Sequence, residues 1–113
     1  MKNFYKKNTI VLIKFPFSDS SNVKVRPALI ICDQFDEDIT CLPISSSYKK
    51  SSHDLKLAES DVLNFSFPIQ SFVRIRKIST LQQSLVVKKL GSLKKETFLK
   101  IKEKLKIFLN LES

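Results

Sequence analysis

The apolar residues of this chain come in short runs until residue 98, and only from there do they follow the period of a helix. The runs at residues 10–13, 27–32 and 39–44 are four to six residues long and rich in isoleucine and leucine. Short apolar runs with β-branched residues, separated by polar segments, are typical of strands. The pattern therefore predicts a sheet of short strands followed by one helix.

The helix is predicted over about residues 94–110. Its apolar stripe recurs every three or four residues, and lysines occupy the opposite side. The stripe comprises Phe98, Ile101, Leu105 and Phe108, widened by Leu99 and Leu109. Ser92 lies too early to cap this helix well. Strands followed by one terminal helix predict an α+β domain with a barrel-like sheet.

Polar segments separate the predicted strands. Residues 18–25 and 45–54 are serine-rich and are expected to form exposed loops, while residues 33–38 hold four acids in six positions and suit a solvated hairpin connection. Residues 71–78 alternate between apolar and polar side chains, which predicts a half-buried strand with its two arginines on one face.

The length and composition set further limits. With 113 residues, of which 42% are apolar, the chain is expected to form one domain over residues 1–113. No apolar run approaches the roughly 20 residues of a membrane span, and no secretory segment follows Met1. We therefore expect a cytoplasmic protein that does not enter a membrane.

The two cysteines do not have metal-ligand spacing. Cys32 and Cys41 are separated by eight residues and belong to what are predicted to be neighbouring strands. Two reduced, mostly buried thiols are expected, because free cysteines are usually buried. A cross-strand disulfide is the alternative.

The positive charge is concentrated in the last third of the chain. The net charge is +9, and residues 1–73 hold nine basic and eight acidic side chains, whereas residues 74–113 hold eleven basic and three acidic ones. This surplus favours an anionic partner, either nucleic acid or an acidic protein. A lysine-rich face that only keeps the protein in solution is the alternative.

Three arginines stand among seventeen lysines. Arginine offers planar, forked donors that grip two oxygens of a phosphate or carboxylate, which lysine does not. Arg26 directly precedes an apolar run, and Arg74 and Arg76 share the alternating segment. The structural alternative is that these arginines pair with acids of the chain itself, namely Asp19, Asp54 or Glu59.

Three segments carry a family resemblance. Residues 10–31 read IVLIKFPFSDSSNVKVRPALII, residues 41–45 read CLPIS, and residues 72–93 read FVRIRKISTLQQSLVVKKLGSL. In this order, and with these short connections, they closely resemble the MazF/PemK family of bacterial toxins. That family carries a loop ending in Arg-Pro, a Pro-Ile-Thr/Ser segment and a Val-Lys-Lys-Leu-Gly stretch before its last helix.

The resemblance implies a small SH3-like β-barrel of the MazF/CcdB type with a C-terminal helix, assembled as a homodimer whose groove accepts single-stranded RNA. It also implies that the RNA's own 2′-hydroxyl attacks the adjacent phosphate. No metal and no other cofactor is implied, and the expected protein partner is an acidic antitoxin.

The resemblance assigns roles to individual residues. Arg26 matches the arginine of the Arg-Pro motif and would stabilise the phosphate in the transition state. Ser45 matches the hydroxyl residue after Pro-Ile and would orient the reacting group, although Ser46 or Ser47 could substitute for it. Arg74 is the expected second cation.

Further residues are expected to contact RNA. Most are cations or rings in or near the predicted loops, and His53 is the one histidine of the chain. They are Asp19, Lys24, Tyr48, Lys49, Lys50, His53, Arg76 and Lys77. An exposed loop without a substrate contact is the alternative for His53 and for residues 48–50.

The chain also departs from the family pattern. Arg76 stands where many members carry an aspartate, and Gln82 stands where an acid often follows. A mechanism assisted by these carboxylates is therefore not expected, whereas one based on arginine and a hydroxyl is. Two other readings stay open, both with weak or no catalysis: a CcdB-like gyrase poison that acts by binding protein, and an RNA-binding module that does not cut.

Overall fold

A computed structural model describes residues 4–16, 23–46 and 53–111. This part of the chain contains eight strands, two short 3₁₀ turns and one α-helix. The strands are β1 (Thr9–Pro16), β2 (Val23–Ile30), β3 (Asp38–Ser45), β4 (Leu55–Leu57), β5 (Val62–Leu63), β6 (Ser71–Val73), β7 (Ser79–Gln82) and β8 (Val86–Leu93). The helix α1 spans Lys95–Leu109, and the 3₁₀ turns span Glu59–Asp61 and Gln83–Leu85.

The strands form a nearly closed antiparallel barrel. Their order is β4-β6-β3-β2-β1-β8-β5, and β7 pairs with β3 beside this path. The first half of β3 pairs with β7 and its last two residues pair with β6, so this strand is shared by two parts of the sheet. Together with α1, the barrel confirms the predicted α+β class and a sheet of short strands.

Both faces of the central strands are covered, which explains their continuous apolar runs. Ile10 and Leu29 belong to one core cluster together with Ile101 of α1. Val11 and Ala28 point the opposite way, because side chains alternate along a strand, and they belong to a second cluster. All five residues have no exposed surface. A strand buried on both faces reads as an unbroken apolar run rather than an alternating one.

The prediction of one strand over residues 71–78 is wrong. Strand β6 ends at Val73, after which the amide of Arg74 donates to the carbonyl of Pro43, and that of Lys77 donates to the carbonyl of Arg74. The alternation continues through this turn because Ile75 is completely buried. Periodicity alone therefore missed the turn, and it also missed β7 and β8.

The first two strands are longer than predicted. β1 continues to Pro16, and β2 begins at Val23 within the segment expected to be a loop. Pro27 lies inside β2 rather than at its start, opposite Leu12 of β1. Pairing between β2 and β3 reaches only as far as Ala28, so the missing amide hydrogen of Pro27 costs no bond to β3.

The helix prediction is confirmed. Lys94 caps the start without a side-chain hydrogen bond, as expected for a weak cap, and Asn110 ends the helix in the left-handed conformation. Neither thiol forms a disulfide. Cys41 is buried, but Cys32 is exposed because it lies in the connection after β2, so burial was wrongly predicted for it. No helix in the described ranges is long and apolar enough to cross a membrane.

Candidate functional site

Arg26 and Ser45 lie on β2 and β3, each two residues beyond the last paired position of these strands. The two strands pair Ala28 with Pro43 and Leu29 with Leu42. If this register continued for two more residues, Arg26 would be level with Ser45 on the same face of the sheet. Both residues are half-buried.

The strands no longer pair at this point, because the end of β3 has turned to β6. Ser45 is matched there with Phe72. We call the space between the ends of the two strands, flanked by Arg26 and Ser45, the β2–β3 opening. A guanidinium and a hydroxyl are thus carried by the two strands just past the point where their main-chain pairing has ended.

From Ser45, pairing continues across two further strands. Ser45 pairs with Phe72 of β6, and Phe72 pairs with Lys56 of β4. Ser45, Phe72 and Lys56 therefore form one row across three paired strands, which we call the cross-strand row. Neighbouring members are about 4.8 Å apart where the strands are paired.

Arg74 is paired with an acid of the chain itself. Its Nε lies 3.0 Å from Oδ2 of Asp54, and the two side chains keep only 18% and 4% of their surface exposed. Neither atom reaches hydrogen-bond geometry, so the contact is an ion pair between charges that are not aligned for a hydrogen bond. This is the structural alternative raised for the arginines, and for Arg74 it is confirmed with Asp54.

Two further basic residues of the predicted set, Arg76 and Lys77, line a cavity with Phe108 near the end of α1. This cavity of about 300 Å³ is lined by Asp54, Arg74, Arg76, Lys77 and Phe108, and we call it the Phe108 cavity. The guanidinium carbon of Arg76 lies 5.8 Å from the centre of the Phe108 ring. The two arginines expected on one face of a strand thus meet in this cavity, although neither belongs to a strand.

His53 packs against the same ring. Its imidazole lies 5.7 Å from the Phe108 ring with an interplanar angle of 70°, an edge-on arrangement. His53 is half-buried rather than fully exposed. The role of Phe108 in holding both His53 and Arg76 was not predicted, because its helical spacing indicated only core packing.

Of the other predicted RNA contacts, some lie near the β2–β3 opening and some lie outside the residues that the structure describes. Lys24 is exposed on β2, two positions from Arg26 and on the same face. Ser46 follows β3 and is exposed. The residues that lie outside the described ranges are Asp19, Ser47, Tyr48, Lys49 and Lys50.

No metal-binding group of three His, Cys, Asp or Glu side chains occurs within the three described ranges. Burial raises the pKa of the Cys41 thiol to about 12. Because a thiol with this pKa stays protonated near neutrality, Cys41 is not suited to act as a nucleophile.

The sequence of residues 6–109 matches a family model described as the PemK-like, MazF-like toxin of type II toxin-antitoxin systems. The chain belongs to this family. The match covers the strands, the helix and the positions of Arg26, Ser45 and Arg74, and it confirms the family resemblance. No curated protein matches the chain.

Solved structures show the same fold. The MazE-MazF complex of Deinococcus radiodurans (Form-II) has a TM-score of 0.78 at 17% identity, covering 98% of this chain and 100% of that one. MazF (Form-I) of the same organism has a TM-score of 0.77 at 16% identity, with coverages of 96% and 99%. The Mycobacterium tuberculosis toxin MazF-mt6 has a TM-score of 0.75 at 16% identity, with coverages of 93% and 99%.

Proposed function

We propose that this toxin is an endoribonuclease that cleaves single-stranded RNA at the β2–β3 opening. The observation that supports the proposal is that Arg26 and Ser45 both lie two residues beyond the last pair of β2 and β3. Cleavage of RNA by its own 2′-hydroxyl requires a cation beside the phosphate and a small hydroxyl beside the reacting group. Membership of the MazF-like toxin family supports RNA as the substrate. A similar structure is named an endoribonuclease from mycobacterial species, which agrees with the proposal.

In the proposed reaction the 2′-oxygen of a ribose forms a bond to the adjacent phosphorus while the bond to the 5′-oxygen breaks. The 2′-hydroxyl loses a proton and the leaving 5′-oxygen gains one, so the products are a 2′,3′-cyclic phosphate and a 5′-hydroxyl. Arg26 stabilises the negative charge that accumulates on the phosphate oxygens. Ser45 holds the reacting group in line by a hydrogen bond.

Arg74 is proposed as the second cation, oriented by Asp54. Its Nε faces the carboxylate, and a guanidinium carries further donors on its two terminal nitrogens. The ion pair keeps the guanidinium beside Asp54, and these terminal donors are proposed to bind the phosphate. Arg76, Lys77 and His53 are proposed to bind the RNA strand at the Phe108 cavity.

The remaining contacts and partners complete the proposal. Lys24 extends the basic surface beside Arg26, and Asp19, Tyr48, Lys49 and Lys50 stay candidate RNA contacts. The toxin is proposed to act in the cytoplasm as a homodimer. An acidic antitoxin is the proposed inhibitor, because the last 40 residues carry eleven basic and three acidic side chains. Similar structures include an endoribonuclease in complex with its cognate antitoxin.

The test is cleavage of a long RNA by purified protein in the presence of a chelator. We expect fragments that end in a cyclic phosphate and begin with a 5′-hydroxyl, identified by mass spectrometry. Arg26→Ala should slow their formation by about 10²- to 10³-fold, whereas Lys88→Ala on β8 is the matched loss of a cation elsewhere on the barrel. Unchanged fragments from the Arg26→Ala protein would refute the assignment.

A second candidate is an RNA-binding protein that does not cut. The observation in its favour is Arg76, which stands where many family members carry an aspartate. Retarded migration of the RNA without new fragments, unchanged by Arg26→Ala, would support this candidate over the nuclease.

A further inference from the structure

Within the described residues, the first four residues of β2 have a strand partner on one side only. We propose that residues 23–26, which we call the β2 edge, bind an extended acidic segment of a partner protein as an additional antiparallel strand. The proposal rests on the proposed function in one respect, because it names how an acidic antitoxin would inhibit cleavage by covering Arg26.

The pairing of β2 defines this edge. β1 pairs with β2 without a register shift from Leu29 to Val23, whereas β3 pairs only with residues 28–30. No other described strand is a neighbour of β2. Pro27 has no amide hydrogen to donate, so the ladder to β3 ends there. The side of the β2 edge that lies away from β1 therefore borders the β2–β3 opening.

The backbone groups of Val23 and Val25 point into this opening. Successive residues of a strand direct their N–H and C=O groups to opposite sides. Directly after β2, the amide of Ile31 donates to the carbonyl of Thr40 in β3. Because the register of β2 is unbroken, every second residue before Ile31 has the same direction. Two amides and two carbonyls of the edge are therefore aimed away from β1.

The side chains of the β2 edge form an apolar face and a cationic face. Val23 and Val25 keep 56% and 47% of their surface exposed. Lys24 and Arg26 lie on the opposite face, where Lys24 is exposed and Arg26 is half-buried. An edge with unpaired backbone groups is a template for another strand, and exposed apolar side chains favour that strand further.

The two faces determine the chemistry of the partner. All pairs of the described sheet are antiparallel. A strand added in this way places one side chain directly opposite each residue of the edge. Acidic side chains fit opposite Lys24 and Arg26, and apolar ones fit opposite the two valines. The partner segment therefore alternates acidic and apolar residues, since strand addition selects alternate side chains.

A second copy of this chain fits the same edge less well. If two β2 edges paired antiparallel with valine opposite valine, the cations of one copy would lie opposite those of the other. Like charges directly opposite each other destabilise a pair of strands. The acidic antitoxin is therefore the favoured occupant, and an acid opposite Arg26 would neutralise the group on which the proposed cleavage depends.

The experiment measures binding of synthetic peptides to the full chain by fluorescence anisotropy. The probe is a short peptide in which glutamate and valine alternate, and the control has the same composition with glutamates and valines in separate blocks. The alternating peptide should bind about 10-fold more tightly, because only its acids and valines match both faces at once. Equal affinity of the two peptides would overturn the proposal.

Methylated amides test the ladder itself. In the proposed antiparallel ladder the valines of the peptide direct their N–H groups to β2, and the glutamates direct theirs away. N-methylation of the valine amides should weaken binding by about 10-fold, whereas N-methylation of the glutamate amides should leave it unchanged. Equal effects of the two modifications would exclude strand addition.

Val25→Pro tests the same contact from the side of the toxin. It removes an amide hydrogen that points away from β1, so the protein should remain folded in urea denaturation. Affinity for the alternating peptide should fall about 10-fold, whereas Val25→Thr keeps the amide and should bind like the wild type. Unchanged affinity in a folded Val25→Pro protein would refute the β2 edge. If this variant does not fold, the methylated peptides decide.

Other outcomes are recognised separately, because peptide binding requires no RNA. If the peptides do not bind and Val25→Pro lowers the oligomeric state in sedimentation velocity, a second copy occupies the edge and the proposal fails. Binding in the expected pattern by a protein that does not cut RNA would refute the nuclease and leave the edge standing. Cleavage that continues at saturating peptide would overturn the covering of Arg26.

Discussion

The β2–β3 opening and the Phe108 cavity both carry arginines, but the two regions differ in whether the arginine is paired with an acid. Arg26 forms no ion pair with any carboxylate in the described residues, whereas Arg74 is paired with a nearly buried Asp54. An arginine that already faces a carboxylate offers less net charge to a substrate phosphate. Under the proposed function we therefore expect Arg26 to contribute more to cleavage than Arg74.

The largest expected difference between the two regions concerns catalysis. Arg26→Ala should lower kcat by about 10²- to 10³-fold, the usual effect of removing one group that stabilises an oxyanion, with little change in unfolding free energy. Arg26→Lys should recover only part of this loss, because lysine cannot grip two oxygens. Single-turnover cleavage and urea denaturation of the same preparations measure both quantities.

The comparison would break if Arg74→Lys lost as much activity as Arg26→Lys while remaining equally stable. That result would make Arg74 an equal partner in the reaction, and its ion pair with Asp54 would then serve orientation alone.

The next largest effect is on stability, at the Phe108 cavity. Asp54→Asn should lower the unfolding free energy by about 3 kcal/mol, because it leaves the largely buried charge of Arg74 without its partner. The loss in the Asp54→Asn, Arg74→Met double variant should be smaller than the sum of the two single losses. Urea denaturation of the four proteins measures the coupling.

The control is Glu103→Gln, which removes an exposed carboxylate 3.7 Å from Lys106 on α1. A pair on the surface should change stability by less than about 1 kcal/mol. If Asp54→Asn were no more harmful than Glu103→Gln, the burial of its ion pair would have no energetic consequence.

The sequence predicted the opening better than the cavity, for a physical reason. Arg26 and Ser45 lie on long strands whose apolar runs are visible in the sequence, and the family motifs mark both positions. The cavity is assembled from a turn, a loop end and the last turn of α1, so its members share no period. Only the three-dimensional fold brings Asp54 and Phe108 to Arg74 and Arg76.

The same distinction applies to single elements. The helix was predicted within one residue at each end, because its stripe is long and regular. β7 and β8 were missed, because their exposed lysines and glutamines hide the pattern.

A smaller effect is expected from the ring shared by His53 and Arg76. Phe108→Leu should keep most of the apolar packing but lose the edge contact and the cation–π contact, at a cost of about 1 kcal/mol. RNA affinity should fall only if the cavity binds substrate. Denaturation and filter binding of the same variant therefore distinguish a structural cavity from an RNA-binding one.

Phe98→Leu provides the matched change, since Phe98 is another half-buried phenylalanine of α1. A loss of RNA affinity in Phe108→Leu that Phe98→Leu does not share would indicate that RNA binds at the Phe108 cavity. An equal loss in both would assign it to the helix as a whole.

The smallest expected effect concerns Asp61, whose carboxylate accepts a hydrogen bond from Thr97 in the first turn of α1. Burial alone would raise the pKa of Asp61, but a 2.6 Å hydrogen bond from Thr97, a 2.7 Å bond from the Ala58 amide and the charges of Lys100 and Lys94 outweigh it, so the pKa is lowered. A carboxyl whose pKa is lower in the folded state stabilises the fold above its unfolded pKa and loses this contribution as the pH falls through the folded value. Stability should therefore decline below about pH 4, near the ordinary pKa of 3.8.

Asp61→Asn should be less stable at pH 7 and should show a shallower decline, as followed by urea denaturation from pH 7 to pH 3. An unchanged decline would show that Asp61 is not the source of the acid sensitivity.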